Sequence, residues 1–422
     1  MSRLQQTLTR LSSRERTALA AGLALVVIVV AATFVPSGDG PGEGATDGAA
    51  RPATEQSAPT YVARDGAPGP GTISEQDRAA IDELLAQSPQ NVQAQRPTAL
   101  ARDLVRCAVF EGQQYCLGVG WTEAEREVVQ ARVATARPHN ARAASTESTG
   151  DLATAELLEQ RAAMPAGERL AGERAELEAA ARSVAKVVLL RHQVLGEPLP
   201  AGFLERHPEA RAPSSTTSKR TTTTTSTKTK GLKDYPRSSK VLNWKQIRAQ
   251  RTTYWCGPTT MQAIAWGWQG KRRTQGHWAD KLGTTSSGTA ISEIVRVVNA
   301  ATGYDEAEYA GKYIVLDISD WSFKKWMLLQ MRHIEDYRAP VVLHPILLRK
   351  FYPYLDDDAS GHFQVGRGYD KNGKKPAKLG YFEPWNQQRF DPSEPYIARV
   401  QWRRAYQSYR ANQAHPHQNI GV

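Results

Sequence analysis

Cysteine is scarce in this chain, with three in 422 residues: Cys107, Cys116 and Cys256. Metal-ligand clustering is missing too. His277, His333, His415 and His417 have no acidic or cysteine neighbours at ligand spacing, so neither a metal nor another cofactor is expected. Asp356, Asp357 and Asp358 are adjacent rather than alternating, which argues against a calcium loop and for an exposed turn. Acid is under-represented: 54 Lys+Arg against 43 Asp+Glu leave a formal charge of +11. The excess is concentrated. Between Ser215 and Arg251 ten basic residues meet one acid, Asp234, so nine of the +11 charges sit in or beside one segment. No recognition motif accompanies them, so no nucleic-acid partner is expected. A basic linker of this kind suits an anionic lipid or wall polymer better.

Charge is absent again from Thr17 to Phe34, a run of 18 residues with Leu23, Leu25 and Val26 to Val30 at its centre. Arg3, Arg10, Arg14 and Arg16 precede it. A signal-peptide core takes about 7–15 residues and a spanning helix about 17–25. Residues 1–35 therefore read as a signal anchor in preference to a cleaved signal, with the basic flank inside and the rest of the chain extracytoplasmic. Residues 36–72 contain almost no large apolar side chains and cannot bury enough surface to fold, which makes them a disordered stalk.

Residues 73–212 are rich in Ala, Glu and Arg and read as a helical region. Ser74 followed by Asp77 opens one helix, Asp151 is expected to cap another, and Leu170, Leu177 and Val184 recur at seven-residue spacing in a third. His192 and His207 read as surface residues. Within this region Cys107 and Cys116 flank two short apolar arms around Glu111-Gly112-Gln113. That pattern predicts a hairpin bringing both thiols within disulfide reach in an oxidising compartment. Cys256 is then the odd thiol, and an odd thiol in an exported chain is either reactive or an intermolecular link. A Ser/Thr/Lys linker over 213–231 marks a boundary. Beyond it, 232–422 gathers tryptophans between Trp244 and Trp402 and reads as a globular domain.

Inside that domain Cys256-Gly257-Pro258 begins a helix, because Pro258 is tolerated in a first turn and Ala263, Ile264 and Trp266 supply an apolar side. A cysteine there feels the positive end of the helix dipole, which favours the nucleophilic thiolate. Gln250 stands six residues earlier, and its amide together with the Cys256 N–H would supply the two donors that a developing oxyanion needs. His362, at the start of the strand-like run Ser360 to Asp370, is a candidate base. Glu383, ending the run from Lys378 before Pro384, is placed to hold its imidazole. His344 lies in an apolar run and reads as a core or cleft-wall residue. Trp255 is a candidate subsite wall.

These motifs resemble the bacteriocin-processing cysteine peptidases and their relatives (peptidase family 39-like, papain-like fold). The likeness rests on Gln-x5-Cys-Gly-Pro, then Leu282-Gly283-Thr284-Thr285-x-x-Gly288-Thr289, then Gly-His-Phe and Gly-Tyr-Asp, over about Trp244 to Trp385. The resemblance implies an α+β papain-like C-terminal domain with Cys256 as nucleophile, His362 as base and Gln250 in the oxyanion role. The third member is usually Asp before Pro; here it is Glu383, with Asn386 in reserve. No Gly-x4-Gly-Lys-Ser/Thr phosphate loop is present, so leader processing by an exporter-fused enzyme does not transfer to this chain. The expected activity is an exported thiol peptidase or amidase acting on a peptide or cell-wall peptide. The alternatives are a cell-wall amidase or transpeptidase of another papain-like family, or a non-catalytic binding module on a peptidase-like fold.

Overall fold

A computed structural model describes residues 72–92, 96–136, 149–210, 229–243, 245–304, 311–355, 358–372, 378–385 and 399–422. All of them belong to one structural unit, Gly48–Val422. The expected signal segment 1–35, the stalk apart from Thr72, most of the 213–231 linker, Trp244, Asp356, Asp357 and Asn386 lie outside the described residues. Among the described residues no helix is long and apolar enough to cross a membrane.

Ser74 caps the first helix, α1 (Glu75–Ala86): its hydroxyl accepts from the Asp77 N–H, and Ile81, Leu84 and Leu85 turn inward. A short α2 (Pro97–Leu104) leads to β1 (Cys107–Phe110) and β2 (Gln113–Cys116), paired antiparallel with Cys107 opposite Cys116. The two cysteines are joined as a disulfide. β3 (Gly120–Thr122) follows on β2, and then comes α3 (Arg126–Ala134). The region expected to be helical thus also carries a three-stranded meander.

The next helix, α4, spans Thr154–Ala163 and begins after Ala153 with no side-chain cap. Asp151 does not cap it, because its carboxylate is taken up by two histidines described below. The heptad-like stretch forms α5 (Ala166–Ala181) and α6 (Val184–Leu190), interrupted at Arg182 and Ser183. α5 packs against α1, and Leu177 and Val184 are buried. A four-residue helix, α7 (Phe203–Arg206), closes the region. His207 is half-buried, with Nε2 2.5 Å from Glu111 Oε1, rather than a plain surface residue.

After β4 (Ser238–Lys240) come α8 (Cys256–Gln269), α9 (Gln275–Leu282), α10 (Ile291–Thr302), β5 (Val315–Leu316), α11 (Phe323–Glu335), β6 (Val341–Leu343), β7 (Gln364–Asp370), β8 (Lys378–Phe382), β9 (Arg399–Gln401), α12 (Trp402–Ala411) and β10 (Ile420–Gly421). The described strands form one sheet in the order β1-β2-β3-β5-β10-β6-β7-β8-β9, with β4 beside β6 on the same edge of β7. All pairings are antiparallel except β3 with β5, which meet in parallel at Trp121 and Leu316. The larger hydrophobic core runs from Ile73, Phe110 and Trp121 through Leu316, Trp326 and Val365 to Trp402, and a smaller cluster gathers Leu104, Val129 and Leu158 in the upstream region. Residues on both sides of the 213–231 linker therefore share the larger core. This is a mixed α+β fold in which α8 lies against α9, α10 and β7.

Candidate active site

α8 delivers Cys256 as its first residue, after a Trp255 in non-helical conformation, and ends at Gly270 in the left-handed region. Cys256 is completely buried. Burial pushes its thiol well above the usual range, and the Asp151 carboxylate adds to that. The Phe363 and Gly257 backbone N–H groups act the other way. A thiolate favoured by the helix dipole was the expectation. Here desolvation outweighs the dipole, because removing an anion from water costs more than a partial charge at one helix end returns.

His362 stands two residues before β7, its N–H donating to Pro345 O at 2.9 Å. Its Nε2 lies 2.6 Å from Glu383 Oε1. Glu383 follows β8, the strand paired with β7, and that adjacency brings the two residues together across 21 positions of sequence. The carboxylate is itself fixed. Trp385 N donates to Oε1 at 2.9 Å, Gln364 Nε2 to Oε2 at 2.6 Å and Tyr354 Oη to Oε2 at 3.2 Å. With Nε2–H donating to Glu383, the lone pair of the neutral imidazole falls on Nδ1, which is buried and makes no hydrogen bond among the described residues. Phe363, whose N–H favours the Cys256 thiolate, is the next residue in the chain, so the base and the sulfur belong to one locus.

Gln250 is buried, with its own N–H donating to Pro384 O, next to Glu383, at 2.9 Å. Its side-chain amide donates to Thr252 O and Thr253 O at 3.0 Å each and reaches Thr149 O at 3.5 Å. The Cys256 N–H donates to the same Thr149 O at 3.3 Å. The two donors named from sequence thus converge on one carbonyl oxygen. Trp255 stands half-buried at the mouth of α8.

That oxygen belongs to a segment with no sequence signal for a site. Residues 149–154 run through the locus from the region read as helical. Thr149 N donates to Ser360 Oγ at 3.0 Å, and Thr149 Oγ1 donates to Gly361 O at 2.5 Å. Thr289 N donates to Gly150 O at 2.9 Å, and Leu152 N donates to Thr289 O at 3.0 Å. Thr289 sits at the end of the Leu282–Thr289 motif. Its neighbour Gly288 has φ +109°, and a side chain there would fall 2.2 Å from Gly150 O. Asp151 is buried between His344 and His415, whose Nε2 atoms lie 2.6 and 2.9 Å from its carboxylate oxygens. His344, expected in the core or cleft wall, is buried there.

Asp151, His344 and His415 also present three ligand atoms within 4.8 Å of one another, a geometry that could hold a cation. The sequence offered no such group because His415 has no acid near it in the chain; the fold supplies one from 264 positions away. Folding likewise gives His417 an acidic partner, its Nδ1 lying 3.2 Å from Asp317 Oδ2. His333 is buried, with Nδ1 3.1 Å from Ala339 O and Nε2 3.4 Å from Lys186 Nζ. Asp358 is exposed and accepts from Arg349 N at 2.8 Å.

Residues 239–413 match the model of the Peptidase_C39 like family, a stretch that contains Gln250, Cys256, His362 and Glu383. Searches of curated proteins and of solved structures return no match to the chain.

Proposed function

We propose that the C-terminal region is a cysteine peptidase or amidase that cleaves a peptide bond through a Cys256 acyl-enzyme, with His362 as base, Glu383 orienting it and Gln250 completing the oxyanion site. The match to a peptidase family supports the class. The observation that carries the mechanism is the convergence of the Cys256 N–H and the Gln250 amide on a single carbonyl oxygen, beside a histidine anchored by a carboxylate. In this scheme Nδ1 of His362 takes the thiol proton as sulfur attacks, and returns it to the leaving amine. The oxyanion forms against the Cys256 N–H, already in position, and the Gln250 amide, which turns from Thr252 O and Thr253 O to shorten its 3.5 Å contact; such donors are where most of the rate in this chemistry arises.

The same proposal places the enzyme outside the cytoplasmic membrane, held by the apolar stretch Thr17–Phe34, with a peptide or cell-wall peptide as substrate. A non-catalytic module on this fold is the competing reading, and the burial of Cys256 is what favours it. Turnover separates the two. The whole chain, assayed against peptide and wall-peptide libraries, should hydrolyse a subset of them, and His362→Ala should abolish that hydrolysis while circular dichroism stays unchanged. A folded wild-type chain that hydrolyses nothing and never acylates would leave only the non-catalytic module.

A further inference from the structure

We propose that the Thr149–Gly150 peptide bond is an internal substrate of the Cys256 site, and that the chain cuts itself there to leave Gly150 as a new N-terminus. The inference rests on the thiol-peptidase reading above and adds to it the first substrate. The Thr149 carbonyl oxygen occupies the position an oxyanion would take, 3.3 Å from the Cys256 N and 3.5 Å from Gln250 Nε2. A carbonyl held this way has its carbon presented to the residue that carries the sulfur.

The chain on either side of the bend at Gly150 is held by paired hydrogen bonds rather than by a chance contact. On the acyl side, Thr149 bonds through N and Oγ1 to Ser360 and Gly361, which immediately precede His362. On the leaving side, Gly150 O and Leu152 N pair with the two backbone polar groups of Thr289, as an added strand would. Asp151 is clamped by His344 and His415. Gly150 is the residue this path requires: its φ is +96°, and a side chain would fall 2.2 Å from the Tyr254 backbone. Thr149 and Cys256 are both fully buried, so the docked segment excludes any other peptide. A foreign substrate enters only after residues 149–154 have left.

The proposed step balances. The Cys256 sulfur bonds to the Thr149 carbonyl carbon as its proton passes to His362 Nδ1. The bond to the Gly150 nitrogen breaks and that nitrogen receives the proton. Water then hydrolyses the thioester, giving a Thr149 carboxylate and restoring the thiol. No disulfide spans the cut, because Cys107 and Cys116 both lie upstream of it. The two pieces would stay associated in native buffer through the β3–β5 contact and the shared core, and separate in denaturant without a reductant.

The test is the intact mass and N-terminal sequence, in denaturant, of the purified full chain and of Cys256→Ala, followed over time at several protein concentrations. The expected result is a wild-type chain converting to two pieces, one beginning at Gly150, at a rate independent of concentration. Cys256→Ala should stay whole, and Gln250→Ala should be slowed by about 10²–10³-fold. Gly150→Val, unable to dock, should stay whole yet hydrolyse added peptides faster than the uncut wild type. Cleavage that persists in Cys256→Ala, or whose rate rises with concentration, overturns the proposal. A wild-type chain that stays whole while hydrolysing added peptides also overturns it and leaves the thiol-peptidase reading standing; residues 149–154 are then a structural strap. A chain that neither cuts itself nor reacts with a peptidyl electrophile overturns both.

Discussion

Glu383 is the residue on which the proposed base depends. Its two oxygens collect four hydrogen bonds from Trp385, Gln364, Tyr354 and His362, so both the carboxylate and the imidazole it holds are fixed in place. Glu383→Gln keeps the size but offers an amide nitrogen where an acceptor is needed, turning the imidazole toward the wrong tautomer. Turnover should fall by roughly a thousandfold or more with little change in KM, as measured by steady-state kinetics on a peptide the wild type cleaves. Cys256 behaves differently from a surface thiol. Burial holds it protonated, so alkylation of the whole chain near neutral pH should be slower than that of an exposed thiol and should accelerate once residues 149–154 are expelled. A second residue-scale expectation concerns Lys186, buried over Tyr313 and Tyr337 with its ammonium pushed well below the lysine range by desolvation. The unfolded chain binds a proton there below its ordinary value of 10.5 that the folded chain does not, so wild-type stability should rise as pH approaches that value. Lys186→Met should be more stable than wild type by roughly 1–3 kcal/mol at pH 7, and chemical denaturation should show the advantage shrinking with increasing pH.

At the scale of elements, the site is assembled from the ends of things: the start of α8, the chain entering β7, the exit of β8 and the turn before α10. β7 and β8 are adjacent and antiparallel, so a residue entering one faces a residue leaving the other, and that is how His362 meets Glu383. The upstream meander is tied to this frame by a narrow joint, β3 against β5, where fully buried Trp121 stacks edge-on with Phe110 and Tyr115. Trp121→Ala would leave a cavity at that joint. It should cost about 3–5 kcal/mol in equilibrium unfolding.

For the molecule as a whole, the consequence of one sheet and a shared larger core is that the peptidase-like segment does not stand alone. Removing residues 1–231 would strip β3 from β5 and uncover core residues such as Leu316, while taking Asp151 away from two buried histidines. The truncated chain 232–422 should therefore lose near-UV circular dichroism or precipitate where the chain from residue 72 onward stays folded. The surplus positive charge, concentrated between Ser215 and Arg251, lies largely in the linker outside the described residues and adds nothing to this core.

Local chemistry made part of this legible in the sequence. A helix beginning at Cys-Gly-Pro, a hairpin between two cysteines nine residues apart, a cap at Ser74 and strands ending at Asp370 and beginning at Lys378 all follow from neighbours along the chain. What depended on contacts across hundreds of residues was invisible. Asp151 reads as an ordinary helix cap, and only folding shows it held by His344 and His415; Thr149 carries no sequence signal, yet its carbonyl faces Cys256 and Gln250. The thiol's protonation was decided at the same level, since a helix dipole can be read from position but desolvation depends on everything packed around the sulfur. Residue type and spacing determined which groups are able to do chemistry; the tertiary structure alone decided which of them meet, and that the chain's own backbone lies between them.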